Sequence, residues 1–366
     1  MGRPTVIVCV DGLDPRYLET CETPNLRRLS RDGFLHDGKC MMPSVTNVNN
    51  VSLLTASYPE DHGICTNYLW DRNSGEGAYL ESSESVRRET IFQRAARLGN
   101  RSVLATSKDK LRTLLGTGAT EALSSERPPA WAVDAVGPPP DIYSLEVNGW
   151  TIRAATHALS RHEADLVYIT TTDYAMHTYA PDHPRSQEHL SVVDGAIGEL
   201  VTAHPEITLL LTADHGMSAK TRMVDVGAAL ESYGIPSNPV PIIKDRYVVH
   251  HSNLGGCIYV YLESSRRNEA IRILNETPGV DAALSREEAS ARFHLPEDRI
   301  GDVVVLGDAG AVFGDPNEVE LPPGLRSHGS THETAIPILG YNGDFSCFSF
   351  DTNRDVGRYV LERALE

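Results

Sequence analysis

Short apolar runs that stop abruptly at polar residues recur along the chain. TVIVCV (residues 5–10) runs into Asp11-Gly12, DLVYITTT (165–172) into Asp173, and EITLLLTA (206–213) into Asp214-His215-Gly216. Uninterrupted apolar runs of this length suit central parallel strands buried on both faces. Amphipathic patterns lie between them: TPNLRRLSRDG, RETIFQRAARLGN, GWTIRAATHALSRH and RSQEHLSVVDGAIGELVTAH. The alternation predicts an α/β fold, a doubly wound, mostly parallel sheet with right-handed crossovers and flanking helices. In such sheets functional groups collect at the carboxyl ends of strands, where the three acidic stops fall.

From about Ser218 to Pro322 the pattern changes. RYVVHHSNLGGCIYVYLE, the helix-like RRNEAIRILNE, GDVVVLGD and AVFGD read as strand, helix and strand joined by Gly-rich turns. This predicts a small α+β cap inserted into the core, giving a catalytic core of 1–217 and 323–366 and a cap or lid of 218–322. The segment RPPAWAVDAVGPPPDIYSLE (127–146) reads as a surface loop or short lid.

The 366 residues suffice for one large domain carrying an insertion. The formal charge of −17 argues against nucleic acid or an anionic membrane as partner. It leaves room for a small anionic substrate, because bound metal reverses the local field. The six cysteines show no CxxC and no regular spacing. Reduced thiols fit a cytoplasmic protein. The first apolar run is too short for a membrane span and lacks the cleavage site of a signal peptide. A homodimer is the common default.

The candidate chemistry lies in oxygen and nitrogen ligands. Asp11 ends a strand; Asp173 and His177 stand four apart, one helical face; Asp214 and His215 are adjacent at a strand end; His328 sits in a Gly-flanked SHG. Each alone reads as a cap or a solvated side chain. Together, three at strand ends of one sheet, they point to zinc or another first-row divalent metal. Thr46 in SVTNVNN reads either as the N-cap of the helix after it or as a nucleophile.

Several motifs carry a family resemblance: VCVDGLDPRYLE, MPSVTNVNNVSLLTASYPEDHGICTNYLWD, SKDKLRTLLG, TTDYAMHTYAP, TADHGM and LRSHGSTHE. With these the chain resembles the alkaline phosphatase superfamily in its nucleotide pyrophosphatase/phosphodiesterase branch, and within that branch the phosphonoacetate hydrolase family. The resemblance implies two zinc sites, with manganese or iron able to share the ligands. Asp173, His177 and His328 would hold one ion; Asp11, Asp214 and His215 would hold the other, with Thr46 at its open position. It also implies that Thr46 attacks phosphorus to give a phosphothreonine and that Asn67 donates hydrogen bonds to the phosphoryl group. Lys108 and Lys110 would surround the carboxylate of phosphonoacetate and stabilise the acetate carbanion that leaves. Since residues i and i+2 do not share a helix face, the two lysines are expected on a loop or strand.

Val45 and Val48 depart from the aromatic and proline of the family pattern, and Ser330 and Thr331 follow His328 in place of Gly and an apolar residue. Such changes act on pocket walls. The rival readings are a phosphodiesterase, nucleotide pyrophosphatase or phosphomonoesterase on the same metal core, and a non-catalytic metal- or phosphonate-binding protein. His62 and His183 are expected to stabilise loops or face helix caps, and His332 to lie outside the ligand set. Arg101, Arg246 and Arg326 are read as structural. His250 and His251, in the insertion, are within reach of a substrate.

Overall fold

A strand buried on both faces gains from branched apolar side chains at every position, and the uninterrupted runs take that place. The computed structural model describes residues 3–72 and 74–365. In chain order the first strands are β1 (Thr5–Cys9), β2 (Phe34–Lys39), a surface hairpin of β3 (Tyr68–Asp71) and β4 (Glu76–Tyr79), β5 (Ser102–Thr106), β6 (Glu121–Ser124), β7 (Leu166–Thr170) and β8 (Thr208–Thr212). Then come β9 (Ser218–Ala219), β10 (Arg222–Val224), β11 (Ser237–Pro241), β12 (Cys257–Leu262), β13 (Val280–Ser285), β14 (Val303–Gly307), β15 (Ala311–Phe313), β16 (Arg326–Ser327) and β17 (Ala335–Tyr341).

Seven strands form the central sheet in the order β2-β17-β8-β1-β7-β5-β6. The sheet is parallel except at β17, which is antiparallel to both neighbours. Every residue of β1, β5, β7 and β8 is buried. Helices flank the sheet: Val147–Arg161 packs on Pro184–Ala203 and on β5 and β7, and Thr46–Thr55 packs on Asn353–Tyr359.

The register of four adjacent strands positions the site. Cys9 lies opposite Thr170 on one side and Thr212 on the other, and Thr106 lies opposite Thr170. β8, β1, β7 and β5 therefore end flush. Asp214, Asp11 and Lys108 follow two residues beyond these ends and Asp173 three, so one row of loops holds all four.

Between β8 and β17 the chain builds a separate antiparallel sheet, β11-β12-β14-β13, covered by helix Arg267–Asn275. Val260, Ile273, Val305 and Phe313 belong to its own apolar cluster. The ribbon β9-β16 stands at its foot, pairing Arg326 with Ala219 and Ser327 with Ser218. There a buried Lys220–Glu333 ion pair, 2.8 Å long, ties the returning strand to the outgoing one. Residues 127–146, read as loop or lid, contain a helix, Ala130–Val136, which packs on Val147–Arg161. Among the described residues no helix is long and apolar enough to cross a membrane.

Candidate metal centre

Asp11, Asp173 and Asp214 converge with His177, His215, His250 and His328, all buried. Around Asp11, His215 Nε2 lies 3.3 Å from Asp11 Oδ1 and 3.5 Å from Asp214 Oδ2. Around Asp173, His177 Nε2 lies 2.9 Å and His328 Nε2 3.7 Å from Oδ2, and His250 Nε2 lies 3.3 Å from Oδ1. The ligand atoms form three overlapping triads, Asp11-Asp214-His215, Asp173-His215-His328 and Asp173-His177-His250. The rings of His215 and His328 stack with centroids 3.5 Å apart, which joins the two halves.

The imidazoles are oriented from behind. His177 Nδ1–H donates to the carbonyl of Arg326 (2.6 Å), His328 Nδ1–H to that of Ser44 (2.6 Å) and His215 Nδ1–H to that of Gly216 (2.9 Å). A carbonyl only accepts, so each Nε2 is left with a lone pair facing the carboxylates, the tautomer a metal ligand needs. Asp11 Oδ1, His177 Nε2 and both ring nitrogens of His250 are buried without a hydrogen-bond partner. Such orphaned groups cost about 1–3 kcal/mol each, and a divalent ion satisfies Asp11 Oδ1, His177 Nε2 and one ring nitrogen of His250. Carboxylate and imidazole in this mixture fit zinc, manganese or iron.

Burial, followed by repulsion from Asp173, pushes Asp11 well above the usual carboxylate range. Asp214 is pushed up to about 6, again chiefly by burial. Burial also lowers His215 and His328 and keeps them neutral. For Asp173 the upward push of burial is outweighed first by the Lys108 ammonium, which holds it well below the ordinary value. In Lys108 burial acts downward and is overcome by Asp11 and Asp173, which hold the ammonium well above its usual range.

Thr46 is the first residue of helix Thr46–Thr55; Val45 occupies the cap position, and no side chain caps this end. The cap reading of Thr46 is therefore corrected. Because His215 Nδ1 carries the proton, the Thr46 hydroxyl donates to His215 Nε2, at 3.4 Å. Asn67 sits beside this helix end. Its Oδ1 accepts from the amide of Asn47 at 3.3 Å, and its Nδ2 donates to the carbonyl of Ile243 in the insertion.

The lysines do not lie on a loop or strand together. Lys108 is extended at the cap of helix Asp109–Leu115, and Lys110 lies inside its first turn. The change of backbone conformation between them lets both side chains reach inward despite the i, i+2 spacing. Lys108 Nζ bonds Asp11 Oδ2 (2.8 Å) and Asp173 Oδ1 (2.7 Å). Lys110 pairs with Asp245 of the insertion. Asp245 also accepts from His251 Nε2–H (2.9 Å) and the amide of Tyr247 (2.7 Å), while His251 Nδ1 accepts from the amide of Asn253. His251 is thus fully bonded, and His250 is the insertion histidine that reaches the cluster.

The sequence reading missed Asp245, and gave His250 no part in the ligand cluster; an acid five residues before a His pair, in KDRYVVHH, was the available signal. His332 pairs with Asp281 at the surface, His183 caps helix Pro184–Ala203, and His62 bonds Ser52. Arg101 and Arg246 pair with Glu163 and Glu81, and the Arg326 guanidinium donates to the carbonyls of Met176 and Met217.

A model of the type I phosphodiesterase / nucleotide pyrophosphatase family matches residues 5–332. A crystal structure of phosphonoacetate hydrolase from Sinorhizobium meliloti 1021 in complex with phosphonoacetate is 33% identical; the match covers 99% of this chain and 96% of that one, with a TM-score of 0.91. Murine ectonucleotide pyrophosphatase/phosphodiesterase 5 shares the fold, at 18% identity and a TM-score of 0.73 over 99% of this chain and 95% of that one. Among curated relatives, the venom phosphodiesterase of Naja atra is 25% identical over 228 residues, 59% of this chain and 26% of that protein. The chain spans about a quarter of the length of the curated relatives it matches.

Proposed function

The chain belongs to the type I phosphodiesterase / nucleotide pyrophosphatase family, and on that premise we propose that this metal-dependent hydrolase cleaves the C–P bond of phosphonoacetate to acetate and phosphate. One observation carries the phosphonoacetate reading: the 33% identity to a phosphonoacetate hydrolase runs over 99% of the chain, with a TM-score of 0.91. The venom phosphodiesterase of Naja atra is 25% identical over only 59% of it.

In this reading Asp173, His177 and His328 would hold one zinc ion, and Asp11, Asp214 and His215 would hold the other beside Thr46. When bound, the ions polarise phosphoryl oxygen and lower the pKa of a neighbouring hydroxyl. Thr46 Oγ1 gives up its proton and attacks phosphorus; the O–P bond forms as the P–C bond breaks, its electron pair goes to carbon, and that carbon takes a proton from water, which the hydroxyl's proton replaces. The N-terminus of helix Thr46–Thr55 favours the anion. Asn67 turns its amide toward the phosphoryl oxygens as charge builds on them. Lys108 has three donors and uses two on Asp11 and Asp173, so its third, with Lys110, holds the substrate carboxylate and draws the carbanion's charge onto it. Water then hydrolyses the phosphothreonine and restores Thr46. Unpaired cysteines, five of the six buried, suit a reducing, cytoplasmic setting.

A second reading, a phosphodiesterase on the same core, is favoured by the venom phosphodiesterase likeness. Phosphate release from metal-loaded protein, compared across phosphonoacetate, other phosphonates, a nitrophenyl phosphodiester and nucleotides, decides between them. Turnover of diesters with none of phosphonoacetate sinks the first reading.

A further inference from the structure

Each carboxylate of the cluster has one oxygen tied and one presented. Asp214 Oδ1 accepts from the amides of Gly12 and His215, both at 3.1 Å, and its Oδ2 faces His215 Nε2. Asp11 and Asp173 have no such pair of amides. Their tied oxygens, Asp11 Oδ2 and Asp173 Oδ1, are both held by the single ammonium of Lys108, at 2.8 and 2.7 Å, with its side chain 3% exposed; His250 Nε2 also lies 3.3 Å from Asp173 Oδ1. The presented oxygens, Asp11 Oδ1 and Asp173 Oδ2, face His215 and His177.

Resting on the metal-centre reading above, we propose that Lys108 is a positioning residue of the metal centre: it restricts Asp11 and Asp173 to one oxygen each toward an ion and couples the two ion positions through one clamp. This role is separate from any contact with a substrate carboxylate. Outer-shell partners of this kind set ligand orientation as the ring carbonyls do for the histidines. A carboxylate released from its clamp can turn both oxygens to a cation and raise the coordination number. Removing Lys108 also removes a positive charge that opposes dication binding. Affinity thus carries two opposing effects, and coordination geometry is the cleaner readout.

The test is the visible absorption of the cobalt(II)-loaded protein, with wild type compared to Lys108→Met, Lys108→Gln and Lys110→Met, all checked for folding by circular dichroism and thermal unfolding. The Lys108 variants are expected to lose several-fold in the intensity of the cobalt bands, as coordination number rises, or to bind fewer than two ions; Lys110→Met is expected to keep the wild-type spectrum. Folded Lys108 variants that hold two cobalt ions with a wild-type spectrum overturn the clamp. The same variants should lose turnover of a carboxylate-free nitrophenyl phosphodiester together with that of phosphonoacetate, and a loss confined to phosphonoacetate also overturns it. The cobalt comparison involves no substrate, so it still decides the clamp if the phosphonoacetate reading fails.

Discussion

The ammonium of Lys110 and the carboxylate of Asp245 form an ion pair between the core helix Asp109–Leu115 and the insertion, with side chains only 3% and 6% exposed. Asp245 is held well below the usual carboxylate range: burial pushes it up, and Lys110 and His251 outweigh that push. Truncating one partner of a buried, hydrogen-bonded charge pair costs about 2–5 kcal/mol. That cost falls on both substrates. Lys110→Ala also removes a charge-assisted hydrogen bond to the substrate carboxylate, worth about 1.5–3 kcal/mol, and is expected to lower kcat/KM for phosphonoacetate about tenfold to a hundredfold more than for a nitrophenyl phosphodiester. Equal losses on both substrates would show that Lys110 anchors the insertion and does not read a carboxylate.

Thr46→Ala is expected to lower turnover by about a thousandfold or more, as removal of a nucleophile does in other hydrolases, with bound metal close to wild type. Thr46→Ser should restore much of the rate. Acid-quench trapping of a phosphorylated protein in wild type, and its loss in Thr46→Ala, provides the direct check. A Thr46→Ala variant with near-normal turnover rules out the nucleophile role.

Chelation should destabilise the fold, because the cluster gathers three carboxylates that an ion neutralises. Ligand binding to the native state alone contributes about 2.7 kcal/mol at a hundredfold excess over Kd. Differential scanning calorimetry with and without chelator is expected to show a fall in Tm that added zinc reverses. Identical traces would mean that the cluster holds no ion tightly.

His62 predicts a pH dependence. Its Nε2–H donates to Ser52 and its Nδ1 accepts from the amide of Ile64 (3.1 Å), so a second ring proton would face an N–H. Burial, with Arg299 adding to it, lowers its pKa to about 3. The folded value lies below the unfolded one, so the unfolded chain binds the proton first as pH falls. The stability due to neutral His62 is thus fully present above about pH 6.5 and drains at about 1.4 kcal/mol per pH unit toward pH 3. Urea unfolding between pH 7 and 4.5 should show a shallower loss in His62→Gln than in wild type. Parallel slopes would disprove the assignment.

Asp11, Asp173 and Asp214 were legible because a strand's end is written locally, as an apolar run that stops. His177 followed from a four-residue spacing. The direction of β17 left no such mark: AIPILG reads the same either way, and only its pairing, antiparallel to both β2 and β8, shows it. The lysines were placed on a loop because helix-face spacing assumes both residues are helical, and Lys108 is not. Thr46 resembled a cap because Ser, Thr and Asn favour that position, yet Val45 fills it. Asp245 meets Lys110 across 135 positions of chain, a contact that no local pattern announces.

Four strand ends in flush register act as a ruler. Neighbouring strands stand about 4.8 Å apart, and the backbone ladder, not the loops, sets that step. The interval between Asp214, Asp11 and Asp173 is thereby set by the sheet, whereas the segment from β9 to β16 adds Asp245, His250 and the carbonyl of Ile243 around it. In the proposed reading, changes within that segment alter which phosphorus compound is gripped, while the sheet keeps the spacing of its carboxylates.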